Sequence, residues 1–233
     1  MQNIISPAFT PANVTSNKLL LTHAVNELTN VASMMNGSLK YIESSHPEVR
    51  CYKYWTDICS DSFRIQEILR SLTDYQQSGQ PELTRTDLQK LLRNSCLACM
   101  PMTEGTEKTL TFTSRTNGPC LMLDAMQMRA AFINLIKNAL EAISENGWVH
   151  IVLNKDSSKA IIQIQDNGCG IAPEALLKIF EPFVTGHPGS VGLGLTITKR
   201  ILDAHKGSIS ISSLPDRGTT VTIALPLNGS WSC

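Results

Sequence analysis

Four short segments carry side chains whose types and spacing could do chemistry. Asn134, Asn138 and Glu141 fall at i, i+4 and i+7, one face of a helix. Leu135, Ala139 and Ala142 lie on another side and can pack. Three polar groups aligned on a largely buried helix require a polar partner, because an unpaired buried amide is costly. A hydrated Mg²⁺ carrying phosphate oxygens meets that need, since this ion takes oxygen ligands and keeps part of its water. The second segment, Asp166-Asn-Gly168-Cys-Gly170, follows the alternating Ile162 and Ile164. A carboxylate at a strand end accepts a hydrogen bond from an exocyclic amine such as that of adenine, and glycines let backbone approach the base. The third, Phe180-Glu-Pro-Phe183, runs into Val-Thr-Gly-His-Pro-Gly-Ser, a loop composition suited to closing over a ligand. The fourth, Gly192-Leu-Gly194, feeds a helix whose first N–H groups suit a phosphate.

Positioning these groups requires strands and helices, and the periodicity supplies both. Residues 125–144 read as a helix. Residues 149–153 and 160–165 read as strands joined by an Asn-Lys-Asp-Ser-Ser hairpin. Short strands are expected from residue 83, over 109–114 and over 120–123, and helices over 87–99 and 197–204. Strands at 208–212 and 219–225 close the chain across Pro215-Asp216-Arg217-Gly218. Helices mixed with mostly antiparallel strands predict an α/β sandwich, with helices on one face of a sheet. Ahead of it, Leu20, Leu21, Ala24, Val25, Leu28, Val31, Ala32, Met35, Leu39 and Ile42 recur at helical steps from Asn17 on. Ser44-Ser45-His46-Pro47 breaks the run, and Tyr54, Ile58, Ile65, Ile68, Leu69 and Leu72 mark a second helix, ended by Gly79 and Pro81. The expected organisation is α+β: a flexible leader over 1–16, an antiparallel helical hairpin over 17–80 and the sandwich over 81–233. One hairpin buries little by itself, so its stripe predicts a dimer with a four-helix bundle.

Composition narrows the function classes. Hydrophobic residues make up 42% of the 233 and charged residues 17%, and Lys+Arg equals Asp+Glu at 20 each. Zero net charge argues against a general nucleic-acid binder. No run of 18 apolar residues is present, so no membrane span is expected. The N-terminus lacks a basic region before an apolar stretch, which argues against a secretory signal. Seven scattered cysteines (51, 59, 96, 99, 120, 169 and 233) do not form a disulfide framework. The expectation is a cytoplasmic protein with reduced thiols.

In order and at these spacings, the four segments resemble the N, first glycine, F and second glycine boxes of sensor histidine kinases, within the ATPase fold shared with gyrase and heat-shock chaperones. The likeness continues through Lys199-Arg-Ile-Leu-Asp-Ala-His205-Lys-Gly207 and Gly218-Thr-Thr-Val-Thr-Ile-Ala-Leu-Pro226 and covers roughly residues 82–227. The resemblance implies ATP and Mg²⁺ as cofactors. Asn134 and Asn138 would hold the metal and phosphates, with Glu141 on the same face, and Asp166 would read adenine. Gly168 and Gly170 would shape the base pocket. Gly192 and Gly194 would close on the phosphates, with Leu195 among the nucleotide-binding positions. A lid would span 184–191. His187 stands where the family often has Lys, and Ser190-Val191 replaces a common Gly-Thr. A neutral imidazole attracts a γ-phosphate less than an ammonium does, so weakened ATP affinity is expected.

The family's hairpin carries a phosphoacceptor His followed by an acid, two variable residues and Asn or Thr. The matching run here is Asn26-Glu27-Leu28-Thr29-Asn30, with Asn26 in the acceptor position. An amide nitrogen is no nucleophile for ATP, because its lone pair is delocalised, whereas imidazole nitrogen is one. His23 lies one turn back, about 4.5 Å along the axis and about 60° around it. His23, Asn26, Glu27 and Asn30 thus share a strip, with His23 and Glu27 paired at i, i+4. Either His23 replaces the acceptor or the hairpin has lost it. In the relatives, Glu27 and Asn30 positions help place a water for dephosphorylating a response regulator. The resemblance therefore implies a two-component signalling protein that binds Mg-ATP and acts on or docks a receiver domain or another kinase. The alternative is a non-catalytic nucleotide-binding module that docks such a partner. Cys96-Leu-Ala-Cys99 has half a zinc-site spacing, but apolar surroundings favour core packing. His205 reads as a capping or packing residue.

Overall fold

Apolar residues at three- and four-residue steps wind the first part of the chain into α1 (Pro11–Ser45) and α2 (Trp55–Gln77), joined by a 3₁₀ turn, Pro47–Cys51. The computed structural model describes residues 11–186, 190–227 and 231–232, with side chains between Thr22 and Leu227. Residues 11–16, expected as leader, are helical, and residues 1–10 lie outside the described residues. Proline is tolerated at the first helical position because the leading N–H groups of a helix have no intrahelical partner. Thr22 Oγ1 donates to Gln76 Oε1 (3.1 Å), Gln66 Nε2 to the Ala32 carbonyl (3.4 Å) and Ser62 Oγ to Asn36 Oδ1 (2.7 Å). Partners descend along α2 as they ascend α1, so the helices are antiparallel. Val25, Ala32 and Leu69 are buried between them, whereas Leu28, Val31, Met35, Ile42, Ile58 and Ile65 are exposed. The chain divides after Gln76 into this helical unit and a sheet-bearing unit.

The second unit runs β1 (Thr84–Asp87), α3 (Leu88–Cys99), β2 (Thr109–Ser114), β3 (Pro119–Leu123), α4 (Ala125–Ala142), β4 (Trp148–Lys155), β5 (Lys159–Asp166), a single turn α5 (Pro173–Leu176), α6 (Gly194–Ala204), β6 (Ser208–Ser213), β7 (Thr219–Pro226) and β8 (Trp231–Ser232). A five-stranded sheet has the order β2-β4-β5-β7-β6, antiparallel except for the parallel pair β2–β4. Beside this sheet, β1, β3 and β8 form a separate three-stranded antiparallel sheet, which the sequence alone does not set apart. Nothing in the sequence marked Trp231 as part of a strand.

Helices α3, α4 and α6 pack on one face of the larger sheet. The strands alternate accordingly, with Val149, Ile151 and Leu153 of β4, Ala160, Ile162 and Ile164 of β5 and Val221, Ile223 and Leu225 of β7 facing the helices and buried. Met128, Ala131, Phe132, Leu135, Ile136, Ala139 and Leu140 form the matching stripe of α4. Two aspartates start the helices. Asp87 accepts the Lys90 N–H at the head of α3, and Asp124 Oδ1 accepts the Met126 and Gln127 N–H groups at the head of α4 (both 3.0 Å). At the β4–β5 turn, Asp156 Oδ1 accepts the N–H groups of Ser158 and Lys159 (both 2.7 Å), which holds its carboxyl below the usual carboxylate range. Cys96 and Cys99 are buried core residues, and burial pushes the Cys96 thiol up to about 12. Cys51, Cys59, Cys96, Cys99 and Cys169 are free thiols, whereas Cys120 is disulfide-bonded, which the scattered spacing did not foretell. No helix among the described residues is long and apolar enough to cross a membrane.

Candidate functional site

The period-two alternation of β5 decides where its last residue goes. Ala160, Ile162 and Ile164 face the helices, and Asp166, one step further, falls on the same side at the strand's end. Asp166 is 7% exposed. Oδ1 accepts the N–H of Gly168 (2.9 Å) and the N–H of Thr219 (3.1 Å), which the β5–β7 register sets directly opposite. Oδ2 takes no hydrogen bond from the described residues. Burial pushes the Asp166 carboxyl above the usual range, and the two backbone N–H groups pull it part of the way back. One oxygen therefore anchors the group and the other is left to accept from a ligand.

Glycines bring the surrounding backbone close. A Cβ on Gly168 would stand 2.5 Å from the Ala142 carbonyl oxygen, and the Cys169 N–H donates to that same oxygen (3.1 Å), so the loop closes on the end of α4. Gly218, at φ +82°, lies so near the Asp166 carbonyl that a Cβ would stand 1.9 Å from it. This approach lets the next residue, Thr219, reach Oδ1. Gly170, at φ +67°, packs on Leu214, and Ile171 N–H donates to Ser213 Oγ (2.8 Å).

Asn134 and Asn138 are half-buried on the edge of α4, one turn apart, and Glu141 is exposed. Asn134 Nδ2 donates to Thr198 Oγ1 of α6 (3.1 Å), so its oxygen faces Gly194, where a Cβ would stand 2.3 Å from Oδ1. Gly194 is the first residue of α6, and Leu193 before it supplies no side-chain cap. The first N–H groups of α6 thus lack a capping side chain, the arrangement that receives an anion. The Leu195 side chain packs on the core, which leaves its backbone as the part open to a ligand.

The described residues at the ends of the expected lid are hydrogen-bonded. Thr196 Oγ1 donates to the Phe180 carbonyl (3.0 Å), and Lys199 Nζ lies 5.8 Å from the Phe180 ring centroid. Phe183, at φ +65°, donates its N–H to the Gly192 carbonyl (2.9 Å), and the Thr185 and Ser190 hydroxyls hydrogen-bond across the loop. His187 lies outside the described residues.

Asn134, Asn138, Asp166, Gly168, Gly170, Gly192, Gly194 and Leu195 all belong to the sheet-bearing unit. His23, Glu27 and Asn30 belong to the helical unit, where all three are exposed, as is Asn26. No hydrogen bond joins His23 to Glu27 among the described residues. Sequence reasoning gave no role to Thr198 or Thr219. The first could have been found four residues after Gly194 on one helix face; the second depends on a strand register that the sequence does not display.

Residues 123–229 match the model of the histidine kinase-, DNA gyrase B- and HSP90-like ATPase family. The signal transduction histidine-protein kinase AtoS of Escherichia coli K12 is 26% identical over 212 residues, 90% of this chain and 34% of AtoS. Sporulation kinase D of Bacillus subtilis strain 168 is 32% identical over 218 residues, 91% of this chain and 42% of that kinase. The chain thus spans less than half the length of these relatives. Full-length ShkA, solved in complex with AMPPNP, superposes with a TM-score of 0.72 over 93% of this chain and 46% of ShkA. At 20% identity that likeness is one of fold.

Proposed function

The chain belongs to the sensor histidine kinase family, and on that premise we propose that it is a cytoplasmic two-component signalling protein. It binds Mg-ATP among α4, the end of β5 and the start of α6, and it acts on the receiver domain of a response regulator through α1 and α2. The observation that carries the reading is Asp166. Its Oδ1 is committed to two backbone N–H groups, and its Oδ2 is left to accept the exocyclic amine of adenine.

The residues fit the metal and phosphates as well. The Asn134 amide nitrogen is occupied by Thr198, which leaves the oxygen, facing Gly194 at the start of α6, as the atom that a hard cation would take. Asn138 adds a second amide one turn on. When bound, Mg²⁺ neutralises phosphate charge during transfer. The uncapped N–H groups of α6 hold phosphate oxygens, and the loop rooted at Phe180 and Phe183 closes over them. The His23 imidazole is the nucleophile on the exposed strip. A ring nitrogen attacks the γ-phosphorus, the bond to the bridging oxygen breaks, ADP leaves and the ring proton passes to solvent or Glu27. Two chains associate through the exposed apolar positions of α1 and α2, which nothing in one hairpin covers.

Calorimetry with Mg-ATP followed by γ-³²P labelling tests this. Binding with acid-labile label that disappears in His23→Ala supports kinase action. Binding without label supports the second reading, a nucleotide-binding module that docks a receiver or another kinase, which Asn26 in the acceptor position favours. No binding to folded protein overturns both.

A further inference from the structure

Among the described residues, two hydrogen bonds tie α6 to α4 and its cap residue Asp124, and one of them lies beside the proposed nucleotide site. The first is the Asn134–Thr198 bond beside Gly194. The second lies at the opposite end of α6, where the Asp124 N–H donates to Nε2 of His205 (2.9 Å). Since Nε2 accepts there, the ring proton sits on Nδ1 and donates to the Ile201 carbonyl (2.7 Å) in the last turn of α6. His205 is 6% exposed, and both of its nitrogens are used. Asp124 is equally occupied. Oδ1 caps α4, and Oδ2 accepts the N–H of Glu82 (3.0 Å) in the segment leading from α2 into β1. Gln127, one turn into α4, donates from Nε2 to the carbonyls of Gln77 and Gln80 in the same segment. A row of hydrogen bonds therefore runs from the connecting segment at Glu82 through Asp124 and His205 into α6. That helix, 11 residues or about 16 Å long at 1.5 Å per residue, ends at Gly194.

We infer that His205 is a positioning residue that couples the connecting segment at Glu82 to the nucleotide site, by fixing how α6 slides along α4. The inference rests on the nucleotide-binding reading above. A ligand that draws the α6 N-terminus toward its phosphates pulls on the clip at the other end, and the clip tightens the Glu82 segment.

Amide hydrogen exchange on the full chain, with and without Mg-AMPPNP, reads the coupling directly. In the native protein the nucleotide slows exchange over 166–170 and 194–196. It also slows exchange over 83–85 by about fivefold or more, the low end of ordinary site-to-site coupling. His205→Gln places an oxygen where Nε2 lies and keeps the response at 83–85. His205→Asn replaces only Nδ1 and loses that response while protection at 166–170 remains. A residue of merely structural importance would not separate the two variants in this way. Should His205→Asn not fold, Glu82→Pro removes the linker N–H on an exposed loop and is expected to abolish the distal response equally. Protection at 166–170 with none at 83–85 in the native chain overturns the inference alone. An unchanged distal response in His205→Asn, or in Glu82→Pro, also overturns it. No protection anywhere overturns the nucleotide reading and this inference with it.

Discussion

Replacing Asp166 by Asn changes one atom and separates the two jobs of this side chain. The amide oxygen of the variant takes the place of Oδ1 and still accepts from Gly168 and Thr219, at 2.9 and 3.1 Å in the native chain. The other atom becomes an NH₂ donor that faces the amino group of adenine, donor against donor. A hydrogen bond to a charged acceptor contributes about 1.5–3 kcal/mol, so Mg-ATP affinity should fall about 10- to 150-fold at 1.4 kcal/mol per tenfold. Hypoxanthine carries a carbonyl where adenine carries the amine, so Mg-ITP should bind the variant at least as well as Mg-ATP. Calorimetry with both nucleotides measures the inversion. Stability should move the other way. Burial raises the Asp166 carboxyl, so its ionised form opposes folding at neutral pH. The native chain therefore gains stability relative to the variant as pH falls through the raised value, and the variant without ligand should melt no lower at pH 7. Equal ATP affinity in the two proteins, or an ATP preference that survives the substitution, would refute the assignment of Oδ2 to the base.

Four further outcomes follow from the geometry. Gly218→Ala, at φ +82° with the Asp166 carbonyl in its way, should lose about 1–3 kcal/mol from the backbone conformation alone. Gly37→Ala, within α1 and with open space around it, should gain about 0.5–1 kcal/mol; thermal melts of both variants check the contrast. Val31→Asp puts a charge on the exposed apolar strip of the hairpin, and on the proposed pairing light scattering should report a dimer for the native chain and a monomer for the variant. Iodoacetamide at pH 8 should label the exposed Cys51 and Cys169 well before Cys96, whose buried thiol is pushed up to about 12; mass spectrometry of the native protein reads the order.

Much of the architecture was legible because its signals are local. The α4 stripe from Met128 to Leu140, the alternation from Ala160 to Asp166 and the Asp156 turn each follow from residues within one element. What escaped depends on pairing at a distance. Nothing near Thr84 or Leu121 says that their strands leave the larger sheet, because a strand's own sequence does not name its neighbour. The two glycine segments were readable as places of close approach, yet what they approach was not. Gly168 meets the end of α4, and Gly194 meets Asn134. The start of α1 at Pro11 lies within the expected leader, and proline is tolerated there because at the first turn it interrupts no hydrogen bond.

The two N–H groups that hold Asp166 Oδ1 come from Gly168 and from Thr219, more than fifty positions later, on a strand that lies between β5 and β6. During synthesis, α1, α2 and most of the sheet leave the ribosome before that strand exists. A growing chain that stops short of β7 has the carboxylate but not the scaffold that orients it. On the proposed reading, nucleotide capture therefore begins only once β7 has been translated, by which time both helices of the first unit are complete.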